Sequence, residues 1–160
     1  MNILKKIWSI KKDIEPDLDF FIEENIGELK KALKYIGSEF VANARKKTKI
    51  KSKNKVYPHA ETGFYDHTGN LRSSIGYLIE ENGKEYKKKF NKVADGDVGK
   101  DKGVESAKKI AEQYNGLVLC VVAGMEYGLY VESKGYDVIS SSKPTRSEVE
   151  EFFKELSEAE

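Results

Sequence analysis

The chain has 160 residues, 39% of them hydrophobic and 34% charged, so it is long enough for one core and too short for two domains of ordinary size. Its 28 lysines and arginines nearly balance its 27 aspartates and glutamates, leaving a formal net charge of +1. This balance excludes a strong overall attraction to nucleic acid or acidic surfaces, so any such binding requires a local cluster of charge. The single cysteine, Cys120, excludes an intramolecular disulfide.

The first half of the chain predicts an arm and a long helix. Residues 1–16 are basic, with apolar side chains at helical spacing, and predict an N-terminal amphipathic arm that ends near Pro16. Residues 17–160 then form a single domain. Its first element is a helix to about Thr48, because apolar residues recur at steps of three and four. Within this helix we expect Gly27 and Gly37 to be sites of close packing.

A lysine-rich segment follows this helix, and we interpret residues 46–65 as a flexible basic loop. A run of like charges without a periodic apolar face is typical of a solvated loop. Lysines are also the residues that neutralise phosphates, so the same run is a candidate for nonspecific nucleic-acid contact. The candidate contact residues are Lys46, Lys47, Lys49, Lys51, Lys53 and Lys55.

Two predicted strands come next and form a hairpin. Thr68-Gly69-Asn70 is a turn signal, and apolar residues alternate from Leu71 to Glu80 with the period of a strand. Asn82-Gly83 is the preferred pair for a two-residue type I′ turn, and a second strand follows over residues 84–90.

The second half of the chain alternates helix and strand. A polar, glycine-rich loop over residues 94–103 leads to a predicted helix over residues 104–114, and the apolar run of residues 117–123 predicts a central, buried strand that contains an inert Cys120. Residues 127–132 and 136–139 have extended patterns. Thr145 and Glu148 form a capping box that opens a last helix. The sequence thus predicts an α+β fold in which a long N-terminal helix packs on a small antiparallel or mixed sheet of about four strands, with two further helices.

None of these patterns indicates catalysis or metal binding. The segment from Asp95 to Ser106 resembles a calcium loop only in part, since it lacks the glycine at the sixth position and the glutamate at the twelfth. His59 and His67 fit no usual zinc spacing. No nucleophile motif or phosphate-binding loop is present. We expect no enzymatic activity, no cofactor and no metal, with a small hydrolase that uses His67 as a remote alternative.

Two short segments resemble a known family when they are taken together. One is Tyr-Asp-His-Thr-Gly-Asn-Leu-Arg-Ser-Ser-Ile at residues 65–75, and the other is Ala-Gly-Met-Glu-Tyr-Gly-Leu-Tyr-Val-Glu-Ser-Lys-Gly at residues 123–135. In this order and after a long amphipathic helix, they resemble the neck and tail-completion proteins of tailed bacteriophages, the minor tail components of head–tail joining. The resemblance implies fold-defining roles for Thr68, Gly69, Leu71, Ser74 and Ile75 in the first segment and for Tyr127, Tyr130, Val131, Glu132 and Gly135 in the second.

The resemblance also implies a function by assembly. We expect a structural virion protein that forms a homo-oligomeric ring where head and tail join, beside head-completion and tail-tube proteins, with nonspecific contact to phage DNA as a further possibility. Such a protein is made in the host bacterial cytoplasm. No apolar run approaches the roughly 20 residues of a membrane helix, so we expect no membrane partner. The alternative function is a nonspecific nucleic-acid-binding module that uses the lysines of residues 46–55.

Overall fold

The computed structural model describes residues 17–46, 48–52, 55–56 and 64–158, with side chains described for residues 25–46 and 66–155. The predicted arm, residues 1–16, lies outside the described residues. The chain divides into two compact units, residues 1–31 and 32–160. The first unit contributes the beginning of one helix. The second contains the sheets, the core and all of the sites considered below.

Five helices and six strands make up the described structure. The helices are α1 (Asp17–Lys46), α2 (Asn70–Ser74), α3 (Asp97–Ala111), α4 (Gly128–Ser133) and α5 (Arg146–Glu158), with a 3-10 turn at Ser140–Ser142. The strands are β1 (Thr48–Ser52), β2 (Lys55–Val56), β3 (Phe64–Asp66), β4 (Ile75–Glu81), β5 (Lys84–Lys89) and β6 (Leu117–Ala123).

The main sheet has three antiparallel strands in the order β5-β4-β6. β4 and β5 form the predicted hairpin, and the φ angles of 49° at Asn82 and 78° at Gly83 are those that a type I′ turn requires. β6 returns along the other side of β4, with Ile75 opposite Ala123 and Glu81 opposite Leu117.

Apolar side chains cover both faces of this sheet. On one face Ile75, Tyr77 and Ile79 pack with Val41 and Ala44 of α1. On the other face Leu78 and Cys120 pack with Ala107 and Ala111 of α3. Successive residues of a strand point to opposite faces, so the two clusters are separate cores on either side of the sheet.

The α+β class, the long first helix and the further helices are confirmed, but the main sheet has three strands and not four. The strand predicted to be central was also wrongly placed. β6 lies at an edge of the sheet, and β4 is the central strand. The apolar run of β6 reflects the packing of helices against both faces of the sheet. Whether the faces of a strand are covered does not depend on whether it pairs with one neighbouring strand or two.

Three predicted extended segments adopt other conformations. The strand predicted to begin at Leu71 begins at Ile75, because α2 occupies the preceding residues. The segment around Tyr130 is helix α4 and not a strand. Residues 136–139 form no strand, and Val138 is instead buried against the α1 face of the sheet. In each case the tertiary structure overrides a local alternation, which in the last two segments is only four to six residues long.

The lysine-rich segment contains strands where a loop was predicted. Within residues 46–65 the structure places β1, β2 and the start of β3, with β1 antiparallel to β2 and parallel to β3. The alternation of lysine with Thr48, Ile50 and Ser52 has the period of a strand, and the run of charge concealed it. The remaining residues of the segment lie outside the described part of the chain.

The two glycines of α1 differ from each other. At Gly37 an added Cβ would lie 2.9 Å from Cγ of Tyr77 and 3.1 Å from Cδ1 of Leu119, so this glycine allows the helix to approach the sheet. Gly27 is exposed, and an added Cβ there would meet no atom of the described residues within 4 Å. The prediction of close packing is therefore confirmed for Gly37 and wrong for Gly27.

Candidate functional site

The first family-like segment forms a hydrogen-bonded turn that leads into the sheet. Asp66, at the end of β3, is 4% exposed, and its two carboxylate oxygens accept the backbone N–H groups of Gly69 at 3.0 Å and Arg72 at 2.8 Å. Thr68 Oγ1 accepts the N–H of Asn70 at 3.2 Å. These bonds satisfy backbone N–H groups at the start of α2, which have no partner within a helix of any length.

Two buried serines connect this turn to other parts of the chain. Ser73 Oγ accepts the N–H of Val93 at 2.9 Å. Ser74 Oγ donates to the carbonyl of Leu71 at 2.7 Å and accepts the N–H of Met125 at 3.3 Å. The carbonyl of Ser74 also accepts the N–H of Gly124 at 3.2 Å. The end of α2 thus holds the loop that begins the second family-like segment.

The two segments also meet through Tyr127 and Gly128. The Tyr127 phenol hydrogen-bonds to the backbone of Leu71, and burial together with the nearby Asp66 carboxylate raises its pKa. A Cβ on Gly128 would lie 3.3 Å from Cδ1 of Leu71. Residues of both segments are therefore in direct contact. That the ten motif residues define the fold stays a prediction for mutagenesis.

Sequence reasoning missed a stripe of glycines that packs against the same turn. Gly96, Gly99 and Gly103 are buried and lie along the first turns of α3, where a polar loop was predicted. A Cβ on Gly99 would collide with the backbone of Asn70, and one on Gly103 would lie 2.6 Å from the carbonyl oxygen of Ser74. The spacing of three and four residues was the available signal, because it places small residues on one face of a helix.

Glu132, in the second segment, organises the chain after α4. Its Oε1 accepts the N–H groups of Ile139 at 2.8 Å and Ser140 at 3.0 Å, and its Oε2 accepts the Ser140 hydroxyl at 2.8 Å. Burial raises the pKa of this carboxyl, but the hydrogen bonds outweigh burial and hold the pKa below its ordinary value. The result is a fixed loop that seats Val138 in the core.

The same segment carries a set of exposed apolar side chains, which we name the aromatic segment. Leu129 is 78% exposed and Tyr130 is 63% exposed, although both belong to α4. Two more tyrosines within ten residues are exposed as well, so that the set comprises Tyr127, Leu129, Tyr130 and Tyr136. A surface with this composition resembles the central part of protein interfaces, which is enriched in aromatic residues.

A second apolar feature is a cleft between α1 and α5, which we name the helix cleft. Its volume is about 730 Å³. At one wall the rings of Tyr35 and Phe152 stack with centroids 5.0 Å apart. The lining is mixed, and its apolar residues are Tyr35, Ile36, Phe40, Pro144, Val149 and Phe152.

A third feature, the lysine groove, is a cavity of about 500 Å³ along the outer edge of β5. Its charged lining residues come from α1, β5 and α3, and all of them are lysines: Lys34, Lys87, Lys88, Lys89 and Lys100. Arg45 donates to the carbonyl of Asn91, a lining residue, at 2.6 Å. Burial and the charge of Arg72 lower the pKa of Arg45 to about 10, so this arginine remains protonated at neutral pH.

The lysines predicted to contact nucleic acid are only partly placed. Lys49 and Lys51 lie in β1, Lys55 lies in β2, and Lys46 ends α1 with its ammonium 3.3 Å from Oδ1 of Asn43. Lys47 and Lys53 lie outside the described residues. Lys46 lines the helix cleft and not the lysine groove.

The other chemistry-bearing residues are dispersed. His67 is exposed, Asp95 and Asp97 are exposed, and Cys120 is buried with its pKa raised by burial and by Glu80. In the part of the chain that the structure describes, no group of three His, Cys, Asp or Glu side chains is placed to hold a metal ion. None of the described helices combines the length and the apolar character needed to cross a membrane.

Comparison of the chain with protein-family models, with curated proteins and with solved structures gave no match.

Proposed function

We propose that this protein is a structural component of the head–tail connector region of a tailed bacteriophage virion, a neck or tail-completion protein that acts by assembling into a ring. The two family-like segments suggest the class of protein. The single observation that carries the mechanism is the aromatic segment, in which four large apolar side chains within ten residues are exposed. Soluble monomers rarely expose a group of large apolar side chains. Where such a group occurs on a surface, it usually marks an interaction site.

A ring requires two different surfaces on each copy, since closed rings are built from head-to-tail contacts. The aromatic segment and the helix cleft are two such surfaces. Leu129 and Tyr130 protrude from α4, while the helix cleft is concave and has apolar side chains of α1 and α5 among a lining that also includes polar and charged residues. We propose that the protruding side chains of one copy enter the helix cleft of the next. The neighbouring head-completion and tail-tube proteins then contact the assembled ring.

The test in solution is the mass of the assembly, measured by native mass spectrometry and light scattering. Leu129→Asp should give a folded protein that no longer assembles, because the charge is exposed in the monomer and buried at the contact. Phe152→Asp should have the same effect from the side of the helix cleft. The matched control is Tyr114→Asp, since Tyr114 lies after the end of α3, is 59% exposed and belongs to neither surface.

The deciding test is made in the phage that encodes the protein. Particles that lack it should accumulate filled heads and separate tails, and Leu129→Asp should reproduce this defect while Tyr114→Asp does not. If heads and tails join normally without the protein, the assignment to the connector region is wrong.

A further inference from the structure

The lysine groove carries positive charge that the rest of the protein does not neutralise. Among the described residues no carboxylate forms an ion pair with Lys34, Lys87, Lys89 or Lys100, and only Lys88 has such a partner, Glu85 at 3.0 Å. Three lysines outside the groove do have carboxylate partners: Lys92 pairs with Asp97, Lys102 with Glu126 and Lys109 with Glu105. In a chain with a net charge of +1, the five lysines of the groove are a local excess of positive charge.

Protection of the sheet edge accounts for only part of this charge. Lysines on an edge strand prevent unwanted strand pairing, and β5 is one of the two edge strands of the main sheet. However, Lys34 belongs to α1 and Lys100 belongs to α3, and neither can protect β5 by that means. Their convergence with Lys87 and Lys89 on one groove requires a different explanation. Like charges at close range repel, and a bound anion is what offsets that repulsion.

We propose that the lysine groove binds the phosphate backbone of duplex DNA without sequence preference. This inference stands on a different surface from the aromatic segment and does not depend on ring assembly. A duplex segment as long as β5, about 20 Å, carries about twelve phosphate charges, so several lysines can each meet a phosphate. Arg45, at the Asn91 end of the groove, adds a further positive charge.

The aromatic side chains that line the groove favour contact with the phosphate backbone over contact with the bases. Tyr77 is fully buried and Phe90 is 7% exposed, so neither ring is available to stack on an unpaired base. Proteins that hold single strands depend on such stacking. The groove is also concave, which suits a rod-shaped polyanion better than a flat membrane surface. The chemistry therefore indicates a double-stranded ligand that is held through its phosphates.

The experiment measures binding of the whole protein to a fluorescent 20-base-pair duplex by anisotropy, at KCl concentrations from 50 to 200 mM. With about four phosphate contacts the slope of log K against log salt is about −3.6, and affinity falls about 150-fold over this range. In Lys87→Gln/Lys89→Gln the slope should fall to about −1.8, which leaves a loss of only about 12-fold. Replacing Lys34 and Lys100 as well should abolish measurable binding.

The matched control is Lys84→Gln/Lys108→Gln. It removes the same charge from two exposed lysines, one of them on β5, and neither lines the groove. Affinity and slope should stay as in the unmodified protein. Circular dichroism before each titration identifies any variant that fails to fold. If the double variant fails to fold, the single variants Lys87→Gln and Lys89→Gln are measured instead, and each should reduce the steepness of the salt dependence by about one unit of slope.

Several results would overturn the proposal. These are no binding at 50 mM KCl, equal slope changes in the groove and control variants, or binding that is lost only when the lysines of residues 46–55 are replaced. A single-stranded 20-mer that binds more tightly than the duplex would also contradict it. Vesicles with 30% phosphatidylserine that bind as tightly, and with the same dependence on Lys87 and Lys89, would reassign the groove to an anionic membrane surface.

Discussion

The contact between α1 and the main sheet predicts opposite effects for two substitutions of the same kind. Replacing glycine by alanine inside a helix stabilises the helix by about 0.8–1.0 kcal/mol. At Gly27 the added methyl group meets none of the side chains or backbone that the structure describes within 4 Å, so Gly27→Ala should show this gain alone. At Gly37 the methyl carbon would lie 2.9 Å from Cγ of Tyr77, closer than the roughly 3.5–4.0 Å of a relaxed carbon contact.

Tyr77 cannot move away easily, because it is fully buried and its hydroxyl lies 3.2 Å from Oγ of Ser38. Overpacking of this kind costs about 1–3 kcal/mol. Both variants gain the same helix propensity, so the difference between them isolates the packing cost and should be about 2 kcal/mol. For a chain of this size that corresponds to about 4–8 °C in Tm.

The assay is urea unfolding followed by circular dichroism, with Tm from a thermal scan as a second measure. Gly27→Ala should unfold at a higher urea concentration than the unmodified protein, and Gly37→Ala at a lower one. If Gly37→Ala is as stable as Gly27→Ala, then α1 does not rest on Tyr77 as the structure places it, and the reasoning is refuted.

Three further predictions concern buried polar groups and the thiol. Cys120 should react with a thiol reagent only after unfolding, since it is 6% exposed; rapid labelling of the native protein would contradict its placement. Asp66→Ala should lower the free energy of unfolding by about 2–3 kcal/mol, because two N–H groups lose a charged acceptor; a loss below 0.5 kcal/mol in urea titration would show that water replaces it. In the folded protein the pKa of Glu132 lies below 4.5, the ordinary value for a glutamate. The ionised carboxylate therefore contributes stability that is fully present above about pH 4.5 and is lost as the pH falls through the lower pKa of the folded state. Glu132→Gln should remove that part of the pH dependence, and an unchanged profile of Tm against pH would argue against it.

The sequence by itself determined the elements whose signals are local or long. The helix α1 follows from an apolar period sustained over about eight turns, and the β4–β5 hairpin follows from an Asn-Gly pair, which tolerates positive φ at both turn positions. The capping box of α5 was equally readable, and Thr145 and Glu148 exchange hydrogen bonds at their side chains and backbone N–H groups. Each of these patterns requires only neighbours in the chain.

Only the tertiary structure decided where β6 lies, how the family-like segments fold and where the positive charge collects. An apolar run reports that side chains are covered on both faces, but the number of neighbouring strands is a property of the backbone and leaves no trace in that pattern. The alternation around Tyr130 was too short to outweigh the contacts that make α4 a helix. Lys34, Lys87 and Lys100 are far apart in the sequence, and they form one groove because α1, β5 and α3 bring them together.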